Sequence, residues 1–308
     1  MSGLTLKSQN RSSDAARELP EGVEFFEDKP GAFRLTVVRG IYERVILIPA
    51  AVLQAGSATE AHLNVEVGEA SRVRFELNGG DLRTPLRIFF HIHDDAYVDA
   101  FYLDGHADGG ARSIEVVYEL GKRASLNAWT FATGGSARIR HIVEFKEPHA
   151  FAALRGLSLL KDASEVVHGV EADHRVGHCV SRQFYKSILT GSSKSSFASL
   201  VRVDKGAEKS DSKQLNKNLL LSDKATAVSL PELEIDTDDV SCAHGSATGQ
   251  LRPEELFYLR SRGIAEKTAR FLMIEGFAEE ILEEVPEIPL KARLQAIVRD
   301  KITQLAVL

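Results

Sequence analysis

The stretch from Phe25 to Leu251 alternates short apolar and polar positions, and almost none of it has helical spacing. A period of two turns one side of each run toward a core, as in a half-buried β-strand. Gly, Asn, Asp and Ser cluster between the runs, as turns require. The clearest runs are 34–38, 45–48, 63–67, 73–77, 114–118, 139–143, 200–203 and 233–235. The pattern predicts a long all-β body and fits a sandwich, a barrel or a β-solenoid, because no strict repeat selects among them.

The pattern changes at Pro253, after which apolar residues recur every three or four positions as far as Val285. This spacing predicts amphipathic helices, and Gly263 allows a break between two short ones. A final amphipathic helix is predicted over 290–307. We therefore expect three parts: a flexible N-terminal tail over 1–24, a β core over 25–251 and a C-terminal helical domain over 252–308.

The overall charge and the cysteine count narrow the functional classes. A net charge of -6 gives no basic footprint for nucleic acid, so no nucleic-acid partner is expected. The chain has no apolar run near the ~18 residues of a membrane span and no apolar signal segment at its start. Only two cysteines, Cys179 and Cys242, occur in 308 residues. Such usage is typical of free thiols in a reducing cytoplasm.

The segment from Asp238 to Gly245 contains the most informative pair of side chains, Cys242 and His244. If the segment is extended, the two side chains point to the same face. A thiolate beside an imidazole suits iron, zinc or copper, and it also suits a reactive cysteine. Two ligands do not close a four-coordinate site, so any metal needs further donors from elsewhere or from a second chain. The alternative is a buried cysteine and a hydrogen-bonded histidine with structural roles.

Two other histidine groups are weaker candidates. His174 and His178, followed by Cys179, would share a face on a helix, but their surroundings indicate strand and loop. His91 and His93 form a possible surface metal site on a strand, and a solvated strand end is the simpler interpretation. The sequence contains neither a phosphate-binding P-loop nor a nucleophile elbow, and we predict no catalytic residue.

Five ordered segments between residues 168 and 284 resemble the SufB/SufD family, the scaffold proteins of the SUF iron–sulfur cluster assembly system. They are Q-x-N-K-N-L-L-L-S from Gln214, P-x-L-E-I from Pro231, D-D-V-x-C-x-H-G from Asp238, G-Q-L from Gly249 and L-F-Y-L-R-S-R-G-I from Leu256. The resemblance implies a right-handed parallel β-helix followed by a small C-terminal α-helical domain. It also implies an assembly scaffold rather than an enzyme, with ATP hydrolysed by a partner.

The resemblance further implies a dimer through the end of the β-helix, with an ABC-type, SufC-like ATPase docked on the C-terminal helices. The implied cofactor is a transient iron–sulfur cluster, and the other implied partners are a sulfur donor and cluster acceptor proteins. The implied cluster ligands are Cys242 and His244, with Glu234, Asp238 and Asp239 as oxygen candidates of lower rank. The implied docking residues are Leu256, Phe257, Tyr258, Arg260, Arg262, Phe271 and Phe277.

The local pattern is similar to the SufD branch. Cys242-x-His244 matches that branch, whereas Asn216 stands where SufB has its sulfur-accepting cysteine, and Gly245 where SufB has a glutamate. The chain is shorter than typical members and resembles the short forms that work with one ATPase. We expect a homodimer that gathers Cys242 and His244 of both chains, with a heterodimer with a SufB-like paralogue as the alternative. A structural subunit that positions the ATPase and another scaffold, without binding a cluster, is the alternative function.

Overall fold

The computed structural model describes residues 4–5, 21–49, 53, 59–79, 84–104, 112–286 and 288–305. Most of the predicted flexible tail, 1–24, lies outside the described residues. The strands are β1 (Leu4–Thr5), β2 (Val23–Lys29), β3 (Ala32–Val37), β4 (Tyr42–Pro49), β5 (Ala61–Val67), β6 (Arg72–Asn78), β7 (Leu86–Ile92), β8 (Tyr97–Asp104), β9 (Arg112–Leu120), β10 (Ser125–Ala132), β11 (Ala137–Phe145), β12 (Phe151–Leu160), β13 (Glu165–His174), β14 (Val180–Leu189), β15 (Lys194–Val203), β16 (Asp211–Leu220), β17 (Thr226–Ile235) and β18 (Ser241–Gly249). The helices are α1 (Pro253–Ser261), α2 (Glu266–Leu282) and α3 (Pro289–Leu305).

The strands form two nine-stranded sheets, and from β3 onward the chain alternates between them. Sheet A has the order β1-β4-β6-β8-β10-β12-β14-β16-β18, and sheet B has the order β17-β15-β13-β11-β9-β7-β5-β3-β2. Neighbouring strands are parallel except for β2 and β3, which are antiparallel. Each turn of the chain thus adds one strand to each sheet around a shared lumen. This arrangement confirms the predicted parallel β-helix with a small helical part at its C-terminal side.

Sheet B faces solvent on its outer side, so its strands alternate buried and partly exposed residues, as β9 does. The middle of the outer face of sheet A, from β8 to β16, is instead covered by helices. Phe101 of β8 stacks on Trp129 of β10 with ring centroids 4.6 Å apart, in one cluster with Ile274 of α2 and Val298 of α3. β10 is consequently buried on both faces along almost its whole length.

The helices begin as the sequence indicates. Pro253 occupies the first turn of α1, where its missing N–H costs nothing, and Gly263 adopts a φ of 81° in the break before α2. No residue of α1 is buried, whereas five residues of α2 and five of α3 are. The two later helices therefore belong to the core against sheet A, and α1 lies on the surface. Among the described residues, no helix combines the length and apolar character needed to cross a membrane.

The last turn of the β-helix is an open end. β17 pairs only with β15, and β18 pairs only with β16, so each strand has one unpaired edge in the described part of the chain. Side chains of this turn are partly or fully exposed, including those that point toward the lumen. The last strand ends at Gly249 and the first helix begins at Pro253. The division at 251 and 252 into two domains stays a prediction.

Candidate functional site

Cys242 and His244 lie on β18, the final strand of sheet A. The condition that the segment 238–245 be extended is therefore met over most of its length. Cys242 is in register with Ser212 and His244 with Gln214, and both of these neighbours are buried in the lumen. Because side chains on one face of a sheet stack in register, Cys242 and His244 point into the lumen at its open end. The predicted shared face of the pair follows from the strand geometry.

Cys242 sits at the boundary between core and solvent. It is partly buried against the apolar lumen core, and this burial raises the pKa of its thiol. The carboxylate of Asp211 raises the pKa further, while a hydrogen bond with the Ser212 backbone opposes the rise. The free chain therefore presents a protonated thiol at neutral pH. Binding of a metal must release that proton, because the thiolate is the ligand.

A column of buried polar side chains lies in the lumen beneath Cys242. The Ser181 hydroxyl on β14 lies 2.8 Å from His174 Nε2 and donates to the Ser212 hydroxyl, also at 2.8 Å. Ser181, Ser212 and Cys242 are in register on successive strands. The thiol is thus the last member of a stacked column whose other members are hydrogen-bonded. This arrangement holds the strand beneath Cys242 in a fixed position.

A second set of lumen residues was not predicted as part of the site. Gln214, Asn216 and Asn218 alternate along β16 and are buried, beneath His244, Ser246 and Thr248 of β18. Asn218 Nδ2 donates to Asn216 Oδ1 at 2.7 Å and to Thr248 Oγ1 at 3.2 Å. The sequence does mark these residues, because β16 has a polar residue at every second position. Such a pattern is normally interpreted as the solvent-facing side of a strand, so it did not indicate a buried site.

The three candidate oxygen ligands of lower rank, Glu234, Asp238 and Asp239, belong to the last turn of the β-helix. They do not point into the lumen beside Cys242 and His244. Glu234 is on the outer face of β17 and accepts a hydrogen bond from Arg202 at 3.0 Å. Asp239, in the turn before β18, forms an ion pair with Lys209 at 2.6 Å. Asp238 is exposed in the same turn. Their role as ligands stays a prediction.

The structure separates His174, His178 and Cys179, which adjoin one another in sequence. His174 ends β13 inside the lumen, stacked on Phe145 at 4.3 Å. His178 lies in the following turn with a φ of 62°, and its ring is 4.9 Å from that of His149. The Cys179 thiol is buried, which raises its pKa. These three side chains do not form one site.

Within the described ranges, no three His, Cys, Asp or Glu side chains are already gathered around a possible metal position. Cys242 and His244 are therefore an incomplete ligand set in the described part of one chain. Because four donors are usual for iron or zinc held by sulfur and nitrogen, completion requires further donors. His244 is exposed and Cys242 partly exposed, so both are accessible to donors from outside the chain.

The predicted docking residues fall into two groups. Phe257 and Tyr258 on α1 are 73% and 58% exposed, and Arg262 lies over the Tyr258 ring at 5.3 Å. Leu256 is partly buried, and Arg260 pairs with Glu266 at 3.2 Å. The other group, Phe271 and Phe277 on α2, is partly buried against the chain's own core.

Comparison with known proteins gives a consistent picture. The family profile described as "SUF system FeS cluster assembly, SufBD core domain" matches residues 51–277. The iron-sulfur cluster assembly SufBD family protein Rv1462 of Mycobacterium tuberculosis (strain ATCC 25618 / H37Rv) is 33% identical over 259 residues, covering 80% of this chain and 65% of the relative. The SufBD family protein ML0594 of Mycobacterium leprae (strain TN) is 36% identical over 193 residues, covering 60% of this chain and 49% of the relative.

A relative with a more specific name is the iron-sulfur cluster assembly protein SufD of Escherichia coli (strain K12). It is 34% identical over 179 residues, covering 58% of this chain and 42% of the relative. The matched part of this chain thus spans between two fifths and two thirds of the length of these three relatives.

Proposed function

Because this chain belongs to the SufBD family, we propose that it is a scaffold subunit on which the SUF system builds and transfers iron–sulfur clusters. It is not an enzyme in this proposal, since ATP is hydrolysed by a SufC-like, ABC-type partner. The iron and sulfide of the cluster are cargo, supplied with the help of a sulfur donor and passed to acceptor proteins in the cytoplasm. The observation that carries the proposal is the position of Cys242 and His244 at the open end of the lumen.

The open end is suited to a second chain. The unpaired edges of β17 and β18 offer backbone N–H and C=O groups, which are costly to leave unprotected in a long parallel sheet. Val228 and Leu230 expose 43% and 53% of their surface on the outer face of β17, beside its unpaired edge, and Ile235 exposes 38% at the end of the strand. A partner end placed against this turn would cover apolar surface and complete backbone pairing. We propose a homodimer at this end, with a SufB-like paralogue as the alternative second chain.

A two-fold arrangement would complete the ligand set. One chain supplies one sulfur and one imidazole nitrogen, and two chains supply two of each, which is a known ligation of iron–sulfur centres. Because the Cys242 pKa is raised in the free chain, the thiolate forms only as metal arrives. Binding is thus coupled to proton release, and separation of the two chains would leave half of the ligands with each. Such shared ligation favours transfer of the cluster over permanent retention.

The contacts of α2 offer a route by which the ATPase could act on the site. Glu280 of α2 lies 2.9 Å from Lys186 Nζ on β14 and 2.9 Å from Lys217 Nζ on β16. The Lys186 side chain is fully buried, and its ammonium lies 3.8 Å from the centre of the Phe277 ring. Since β16 is the strand next to β18, a pull on α2 would be transmitted to the last turn. We propose that ATP-driven movement opens the dimer in this way.

Replacing Phe257 by Asp is expected to abolish co-purification with the ATPase partner. Burying an unpaired charge at an apolar contact costs far more than the contact itself contributes. Phe257 is largely exposed, so the melting temperature of the free chain should change little. The measurement is co-purification of both proteins from one cell, with Glu254→Gln on the same helix as the matched control. Normal recovery of the ATPase with the Phe257→Asp chain would argue against docking on α1.

The alternative is a structural subunit that binds the ATPase and positions another scaffold without holding a cluster. The incomplete ligand set in the described part of one chain is the observation that favours it. Anaerobic incubation with ferrous iron and sulfide distinguishes the two functions. A cluster scaffold gains absorption in the visible range, and a structural subunit stays colourless under the same conditions.

A further inference from the structure

Two histidines on the outer face of sheet B have no part in the proposed cluster site. His91 is at the end of β7 and His93 follows two residues later, so both point away from the lumen. Glu66 on β5 and Glu119 on β9 are in register with His91 on its two sides. His91 and the two carboxylates therefore occupy adjacent positions on three neighbouring strands, and His93 lies just beyond the end of β7.

The contacts assign a different role to each carboxylate. His91 Nδ1 lies 2.7 Å from Glu119 Oε2, which fixes the ring and turns its Nε2 atom toward Glu66. His93 Nε2 lies 3.1 Å from Glu66 Oε2, and His91 Nε2 lies 4.0 Å from Glu66 Oε1. The Nε2 atoms of both rings thus face a single carboxylate group.

Glu119 is suited to hold His91 in this orientation. Its Oε2 atom lies 2.7 Å from His91 Nδ1, and its Oε1 atom lies 3.4 Å from the Lys146 ammonium, so contacts on both oxygens hold the carboxylate in place. An imidazole whose Nδ1–H is donated to a carboxylate, with Nε2 free, is the usual arrangement of a metal-bound histidine.

A simple ion-paired cluster is the competing explanation, but exposed pairs of this kind contribute little to stability. In a metal centre with bonds of about 2.1 Å, neighbouring donor atoms are separated by about 3–3.4 Å. The separation of His93 and Glu66 already meets this requirement, whereas that of His91 and Glu66 must shorten by less than about 1 Å. The three side chains are therefore not yet gathered around a metal position in the described part of the free chain, and binding requires the Glu66 side chain, which is 39% exposed, to move.

We propose that His91, His93 and Glu66 bind a divalent first-row transition metal ion, with Glu119 as the residue that orients His91. Two imidazoles and one carboxylate suit Zn²⁺, Fe²⁺, Co²⁺ or Ni²⁺ and leave positions open for water. β7 and β17 are separated by four strands in sheet B, which places the site about 24 Å from the open end at ~4.8 Å per strand. The site is therefore independent of Cys242 and His244.

The test uses the full-length chain with Cys242→Ser and His244→Ala, which removes the other candidate ligands. Titration with Co²⁺ in competition with a coloured chelator should give one bound ion per chain. His91→Ala and His93→Ala should each lower the affinity by at least about tenfold, and Glu119→Gln by about tenfold. His62→Ala is the matched control, since His62 is on the same face and pairs with Glu60 at 3.2 Å.

Melting temperatures without metal check that each variant folds. The parent chain is the full-length chain with Cys242→Ser and His244→Ala. Added Co²⁺ should raise its melting temperature and that of its His62→Ala variant, but not that of its His91→Ala or His93→Ala variant. Absence of binding by the parent chain would overturn the proposal. Equal affinity in the parent and in the His91 and His93 variants would overturn it as well.

Discussion

Replacing Cys242 by Ala is expected to reduce the visible absorption of the anaerobically reconstituted chain to background. The substitution removes the sulfur donor from both halves of a shared site, and the two remaining imidazoles do not hold a cluster. Cys242 is only partly buried on a strand at the end of the β-helix, so the loss in folding free energy should be small. The measurement is the absorption spectrum after incubation with ferrous iron and sulfide and removal of the excess.

The other cysteine provides the matched control. The Cys179 thiol is buried and contacts the carbonyl oxygens of Glu147 and Gly177, away from the open end. The Cys179→Ala chain should melt at a lower temperature but keep the wild-type absorption. Retention of absorption by Cys242→Ala, or its loss in a folded Cys179→Ala chain, would mean that the wrong cysteine has been assigned.

Acid is expected to destabilise the β-helix well above the pH at which carboxylates titrate. Burial lowers the pKa of His141 to about 3, and the pKa values of His168 and His174 to about 4. In the unfolded chain these imidazoles accept protons below about pH 6.5, whereas in the folded chain they stay neutral. Protons therefore favour the unfolded state between pH 6.5 and pH 4. Each histidine should cost about 2–3 kcal/mol of unfolding free energy by pH 4.5.

A single variant assigns this loss to the lumen. His168 contacts the Ser158 hydroxyl at 2.8 Å, and Gln can keep a hydrogen bond there without titrating. Denaturant unfolding of His168→Gln should show a fall between pH 7 and pH 4.5 that is smaller by about 2 kcal/mol than that of the wild type. Surface His62→Gln is the matched control, because it removes a histidine without changing the lumen. An identical fall in the wild type and His168→Gln would rule out this histidine as a source of the acid sensitivity.

Six of the eight runs that alternation predicted lie in sheet B, and the other two lie in β4 and β6 of sheet A. The runs at 63–67 and 114–118 correspond to β5 and β9 in sheet B, whose outer face meets solvent. β8, β10 and β12 lie under α2 and α3, so apolar residues occupy both of their faces and the alternation disappears. Whether the outer face of a strand is covered depends on which helices pack against it, and the local spacing of apolar residues does not reveal this.

The site was predicted by resemblance more than by spacing. Cys242 and His244 share a face because β18 is extended, and this follows from local sequence. Their position at the end of a lumen depends on the register with Ser212 and Gln214, thirty residues earlier, which no local pattern encodes. The polar interior of β16 has the opposite pattern to a normal core strand. A hydrophobicity pattern would turn these side chains outward, whereas hydrogen bonds inside the lumen, from Gln214 to Gln183 of β14 and from Asn218 to Asn216, allow them to be buried.

The most direct test of a cluster held between two open ends is the mass of the species that carries it. Native mass spectrometry of the anaerobically reconstituted wild-type chain should find iron and sulfide on a species of twice the 33.8 kDa chain mass. Species of single-chain mass should carry no cluster. A cluster found intact on one chain alone would contradict shared ligation by Cys242 and His244.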